Sequence, residues 1–259
     1  MEFDPNYCMA GAVTGLIVGL TGVGGGALMT PILLLIFNVS ITTAVATDLW
    51  FAAITKIAAI GIHYTHKQIE WDIVNRLWLG SLPVSVLVII GISSGTFSKV
   101  TTYIPQMIGC IVFITAMGLL FSEKLTRRMP NFQLLDDKTL MQFRPILTIT
   151  AGAILGALVS ITSVGAGTLG TLVLIYIYSY LTPQKIIATE IAHAIPLALV
   201  AGIGYLIFAS VDIQMLFSLL VGSIPMAMVG ALLAQRISSY KLKIALAFVL
   251  ISGGLKLMI

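Results

Sequence analysis

Apolar runs long enough to cross a lipid bilayer follow one another along almost the whole chain, and this succession limits its fold more than any other feature. They lie at roughly 9–37, 43–64, 73–94, 102–122, 146–179, 185–209, 213–234 and 242–259. Backbone polar groups cannot stay unpaired in hydrocarbon, so runs of this kind fold as helices. The soluble alternative fails on composition. Hydrophobic residues make up 58% and charged residues 9% of the chain, against about 25% charged in an ordinary soluble domain. The expected fold is an all-α polytopic membrane protein, with about eight hydrophobic segments in a single transmembrane domain over 1–259 and the lipid bilayer as its surroundings.

The basic residues read as topology signals. A sequence pI of 9.1 might point to nucleic acid, but only 14 Lys and Arg exist and most sit in short connections between apolar runs. No nucleic-acid partner is expected. The opening MEFDPNYCMA has two acids and no basic residue, so it does not read as a signal peptide. Cys8 and Cys110 form no metal or redox pattern, and the sequence calls for neither a metal nor a cofactor.

Two runs are unlike the rest. The stretch GLTGVGGGALMTP, Gly19 to Pro31, sets five glycines and a proline inside the first apolar run, although glycine costs a helix interior about 1 kcal/mol relative to alanine. The fifth run is also interrupted. As unbroken helix, the first run would extend about 43 Å, well beyond the core of about 30 Å. Each run is therefore either a tilted crossing with an unwound middle or a hairpin that dips in and returns. If both dip, one face collects Lys67, Arg76, Lys124, Arg127, Arg128, Lys138, Arg144, Lys185, Arg236, Lys241 and Lys243, and the other keeps Lys99 and Lys256. If both cross, the division falls from about 11 against 2 to about 8 against 5. The positive-inside rule prefers hairpins, with the polar stretch 123–144 in the cytoplasm and both termini outside.

The two halves match each other. TGVGGGAL (Thr21–Leu28) pairs with TSVGAGTL (Thr162–Leu169), ATDL (Ala46–Leu49) with ATEI (Ala188–Ile191), and GSLP (Gly80–Pro83) with GSIP (Gly222–Pro225). The offsets are 141 residues for the first pair and 142 for the others. Three ordered matches point to duplication, with repeat one at 9–122, a cytoplasmic linker at 123–144 and repeat two at 145–259. With three crossings and one dip per half, the second copy is inverted, an arrangement that recurs among transporters.

This gives the glycines a purpose. Irregular backbone at membrane depth is tolerated where it lines a cavity, and a half-helix starting there aims free N–H groups at anions. The expected substrate-binding residues are Thr21, Gly22, Gly24, Gly25 and Gly26 in the first copy, and Thr162, Ser163, Gly165 and Gly167 in the second. The bland alternative is that the glycines only allow close helix packing. The threonine and serine hydroxyls have two possible uses as well, donating to an oxyanion or satisfying freed carbonyls. GVGGGA lacks the Lys-Ser/Thr of a soluble phosphate loop.

Ionisable residues in the apolar runs complete the candidate set. Asp48 and Glu190 occupy matching positions; each is either a coupling carboxylate or an acid near a helix start, favoured by the dipole. Lys56 lies mid-run and has Ala198 opposite it in the other copy; it is placed to attract an anion or to pair with Asp48. His193 follows Glu190 by three residues, which suits either a proton relay or a structural hydrogen bond. Pro83 and Pro225 are expected to kink the third helix of each half.

Through GLTGVGGGALMTPILL, its partner SITSVGAGTLGTLVL and the paired halves, the chain resembles the sulfite exporter TauE/SafE family over essentially its full length. The resemblance implies a permease for small sulfur-containing anions, such as sulfite or organosulfonates, in the cytoplasmic membrane. The expected function is a secondary transporter of a small sulfur oxyanion, coupled to protons through Asp48, Glu190 and His193, with a homo-oligomer compatible with it. The alternatives are an uncoupled anion channel and an intramembrane enzyme, for which the Asp136–Asp137 pair in the polar stretch is the only hint.

Overall fold

The computed structural model describes residues 4–21, 26–65, 68–96, 103–128, 137–165, 167–207, 209, 211–234 and 239–258. Among these residues the chain is all helical, with ten helices. They are α1 (Pro5–Thr21), α2 (Gly26–Leu35), α3 (Ile41–Thr65), α4 (Trp71–Ser93), α5 (Ile104–Arg128), α6 (Asp137–Thr162), α7 (Thr168–Ile177), α8 (Pro183–Tyr205), α9 (Ile213–Ala234) and α10 (Ser239–Met258). Four stretches are long and apolar enough to cross a membrane by length and composition alone, at Trp71–Ser93, Gln142–Thr162, Gln184–Tyr205 and Ile213–Gly230. The architecture is that of a polytopic membrane protein.

The first and fifth apolar runs are each two helices. The second member of each, α2 or α7, has ten residues and extends about 15 Å, half of what a crossing needs. Gly22, Gly24 and Gly25 lie outside the described residues. In the fifth run the break has a backbone cause. Ser163, Gly165 and Gly167 have φ of 59°, 118° and 146°, in the region that ends a right-handed helix and favours glycine.

Each short helix folds back beside the helix before it. Thr148, early in α6, shares a 2.8 Å hydroxyl hydrogen bond with Tyr178 just beyond α7, and the Arg144 guanidinium lies 5.0 Å from the Tyr180 ring centroid. Likewise Tyr7, near the start of α1, lies against Phe37 beyond α2, with ring centroids 4.5 Å apart and planes tilted by 34°.

Helices α1 and α9 pack closely, as do α4 and α6, α5 and α10, and α3 and α8. The first two crossings depend on glycine. A Cβ on Gly11, Gly15 or Gly222 would strike the backbone of Leu219, Ser223 or Cys8. One on Gly152, Gly156 or Gly80 would strike that of Leu77, Ser81 or Ile149. Small residues let the backbones meet, which drives helix association where lipid offers no hydrophobic contrast. The apolar centre is formed by Leu49 and Ala53 of α3, Leu197 and Ala201 of α8, and Ile108 and Val112 of α5, all buried.

Two boundaries differ from the sequence expectation. Helix α5 continues to Arg128 and α6 starts at Asp137, both inside the polar stretch expected to be linker. Apolarity is required only at lipid depth, so a helix can run on through charged residues into water or headgroups. Asp137 thus opens a helix, while Asp136 lies outside the described residues.

Candidate functional site

The site sits where α3 and α8 cross beside the second break. Asp48 and Glu190 stand two turns inside these helices, and neither helix has an acid in its first turn. The dipole of a helix end acts over about one turn, so it does not account for either carboxylate. Both side chains are buried, at 0% and 3% exposed.

Lys56, one helical face along from Asp48, is 5% exposed. Its Nζ lies 3.6 Å from Glu190 Oε1. Of the two carboxylates that share the cluster, Glu190 holds the ion pair, and Asp48 takes a hydrogen bond from the Thr30 hydroxyl of α2. The Ser163 hydroxyl lies beside the same carboxylate but outside good hydrogen-bond geometry. Glu190 in turn packs on the first turn of α7, where a Cβ on Gly170 would come within 3.0 Å of Glu190 Cγ. Asp48 thus meets α2 at Thr30, and Glu190 meets α7 at Gly170.

His193 turns away from this pair toward α4. Its Nε2 lies 3.0 Å from Ser81 Oγ, and its carbonyl accepts the Trp78 indole N–H at 3.1 Å. Lys56 remains a charge that its ring feels.

Several buried polar atoms here have no hydrogen-bond partner, namely Asp48 Oδ1, Ser163 Oγ, Thr168 Oγ1, Glu190 Oε1 and His193 Nδ1. Buried polar groups are ordinarily paired, and leaving one unpaired costs about 1–3 kcal/mol. Their concentration at one place suits a polar ligand or water. No group of His, Cys, Asp and Glu able to hold a metal ion occurs among the described residues.

The remaining expected residues divide by location. Thr21 closes α1 and Gly26 opens α2, and Gly22, Gly24 and Gly25 fall outside the described residues. Thr162 is occupied with backbone: its hydroxyl donates to the Leu158 carbonyl at 2.7 Å and accepts from Val164 N at 3.2 Å. Gly165 and Gly167 form the bend and Ser163 faces the cluster. Thr30, Thr168 and Ser81 were not singled out by the sequence. Thr30 carried a usable signal, since it follows Gly26 by four residues just as Thr171 follows Gly167.

Broken short helices meeting at a buried charged cluster inside a helical bundle define a membrane transporter architecture. The comparisons with known proteins agree. The family model described as sulfite exporter TauE/SafE matches residues 7–257, and the chain belongs to that family. It is 34% identical to the probable membrane transporter protein YjnA of Bacillus subtilis (strain 168), over 96% of this chain and 97% of that one. It is 29% identical to the probable membrane transporter protein YdhB of the same organism, over 94% and 96%. A probable membrane transporter protein of Haemophilus influenzae is 24% identical over 61% of this chain and 58% of its own length. No solved structure matches the chain. The protein is a multi-pass membrane transporter of this family.

Proposed function

We propose that the chain is a secondary transporter of a small sulfur-containing anion, sulfite or an organosulfonate, and that the anion binds between the starts of α2 and α7. The observation that carries the reading is the buried Asp48–Lys56–Glu190 cluster beside two broken helices. Lys56 supplies the attraction, and free N–H groups at the short-helix starts and the Ser163 and Thr168 hydroxyls supply donors. The carboxylates are the coupling groups, with the proton as the coupling ion. The family is described by sulfite export.

An inverted duplication is part of the same reading. Contacts at Gly11, Gly15 and Gly222 have counterparts at Gly152, Gly156 and Gly80, offset by 141 or 142 residues, as in the sequence motifs. The neighbours of α4 and α8 favour hairpins over crossings. Glu70 meets Lys185 and Thr189, and farther along Ile89 meets Gly204, so these helices run side by side in one direction. With α5 crossing back between them in sequence, α8 starts on the same side as α4 only if α6 and α7 return to the side they left. Against an intramembrane enzyme, the Asp136–Asp137 pair lies far in sequence from every member of the cluster.

The test is flux of radiolabelled sulfite into proteoliposomes with and without an imposed proton gradient. Uptake that responds to the gradient supports the proposal; absence of flux for sulfite and for sulfonates removes it. Flux that ignores the gradient, and stays intact when Asp48 and Glu190 are neutralised, favours an uncoupled channel.

A further inference from the structure

We propose that Arg144 holds the phosphate of an anionic phospholipid, at the end of the bundle where α4, α6 and α8 begin. This site goes beyond the transporter reading and uses none of the residues on which that reading rests.

The argument begins with depth. Spans start at Trp71 in α4, Gln142 in α6 and Gln184 in α8. They start at one end. Leu77 meets Gly152 and, one turn on, Ser81 meets Gly156 along α4 and α6. Glu70 meets Lys185 and, farther on, Ile89 meets Gly204 along α4 and α8. At this end the apolar spans give way to the charged Glu70–Lys185 pair, and Trp71, Phe143 and Tyr180 are exposed. Exposed aromatic residues beside charges mark the headgroup level of a bilayer. Arg144 stands two residues into its span, at that level.

Arg144 lacks a countercharge there. Lys185 is paired with Glu70, but among the described residues no carboxylate pairs with Arg144 and no acceptor takes its guanidinium N–H groups. Its Nε is buried without a partner. The guanidinium is nevertheless held in place. It lies over the rings of Tyr178 and Tyr180, 6.0 and 5.0 Å from their centroids. The Thr148 hydroxyl ties this cradle together, donating to the Arg144 carbonyl at 2.7 Å and accepting from Tyr178 at 2.8 Å. Ring faces attract the charge and leave the N–H donors unspent.

A lipid phosphodiester fits what remains. Its oxygens suit the planar fork of arginine and its charge balances the guanidinium. The exposed apolar Phe143 and Ile146, which flank Arg144 in α6, suit the acyl chains of a lipid better than the hydration shell of a free ion. A headgroup with an ammonium of its own would leave Arg144 unbalanced, so the lipid is an anionic one.

The probe is phosphatidylglycerol, with phosphatidylcholine and glycerol 3-phosphate as comparisons, added to the full chain in detergent and followed by native mass spectrometry. Wild-type protein should retain one more phosphatidylglycerol than phosphatidylcholine, and glycerol 3-phosphate should not displace it. Arg144→Gln should weaken this retention about tenfold. Arg144→Lys, which keeps the charge and loses the fork, should weaken it about threefold. Arg76→Gln removes a cation at the same end that no ring covers among the described residues, and should cost about twofold. Thermal melts report whether each variant is folded; should Arg144→Gln fail to fold, wild-type retention in Arg144→Lys would overturn the proposal. Unchanged retention in Arg144→Gln, or an equal loss in Arg76→Gln, would also overturn it. Displacement by glycerol 3-phosphate would overturn it in favour of a soluble anion, and a dimer lost in Arg144→Gln in favour of a carboxylate from a second copy. None of these readouts uses flux, so a failure here leaves the transporter reading standing, and the reverse.

Discussion

Thr30 of α2 donates its hydroxyl to the buried carboxylate of Asp48 in α3, which fastens the second half of the first broken run to the helix behind it. Removing the donor strands a buried carboxylate oxygen, at a cost of about 1–3 kcal/mol. Thr30→Val should lower the thermal midpoint and reduce anion flux, whereas Thr30→Ser should retain both. Equal behaviour of the two variants would show that the methyl group, not the hydroxyl, matters at this position.

The Lys56–Glu190 pair should show the asymmetry of buried ion pairs. Breaking one side leaves an uncompensated charge and costs about 3–5 kcal/mol, while replacing both sides with apolar groups of similar volume is close to neutral. Lys56→Met leaves two buried carboxylates, Asp48 and Glu190, without a countercharge and should destabilise strongly, whereas Glu190→Leu leaves Asp48 as the acid near Lys56 and should destabilise less, with both variants inactive in transport. Denaturation in detergent with a proteoliposome assay measures both.

At the second break the backbone should be intolerant of side chains. Gly167 has φ of 146°, so Gly167→Leu would strain the bend and crowd the start of α7. Flux should vanish while membrane insertion, followed by fractionation, is unchanged. Flux at the wild-type level would count against a site at this bend.

Gly80 and Gly222 should be equally sensitive, because each lies against a neighbouring backbone, of Ile149 and Cys8 respectively. Leucine at either position should prevent the crossing and abolish a stable monodisperse protein. A mild effect at one and a severe effect at the other would break the proposed equivalence of the halves.

The contact of Tyr7 with Phe37 makes the proposed first hairpin testable by sidedness. In a background with Cys8 and Cys110 replaced by alanine, cysteines at exposed Asn6 and Ser40 should both react with an impermeant thiol reagent from the same side. Reaction from opposite sides would mean that α1 and α2 together make a crossing.

The membrane class, the two breaks and the family were legible in the sequence, because apolar runs, clustered glycines and a repeated motif are local patterns. Membership of the cluster was partly legible: Asp48, Glu190 and Lys56 are ionisable residues in apolar surroundings, where a buried charge needs a partner. Which of them pair was not, since 134 residues separate Lys56 from Glu190 and only the crossing of α3 over α8 joins them. Thr162 illustrates the reverse. A hydroxyl beside a break can serve a ligand or the backbone, and here it serves Leu158 and Val164. Thr30 had a signal in its spacing from Gly26, matched by Thr171 after Gly167, but only the fold shows that its partner is Asp48.

The first helix of each half is clasped by the other half, α1 against α9 and α6 against α4. The chain is thus woven, and its first and last parts cannot slide past each other as separate blocks. Separately expressed halves should assemble only when made together. If transport proceeds by rocking, each moving body carries helices from both parts of the chain, because α1 packs on α9 and α6 on α4.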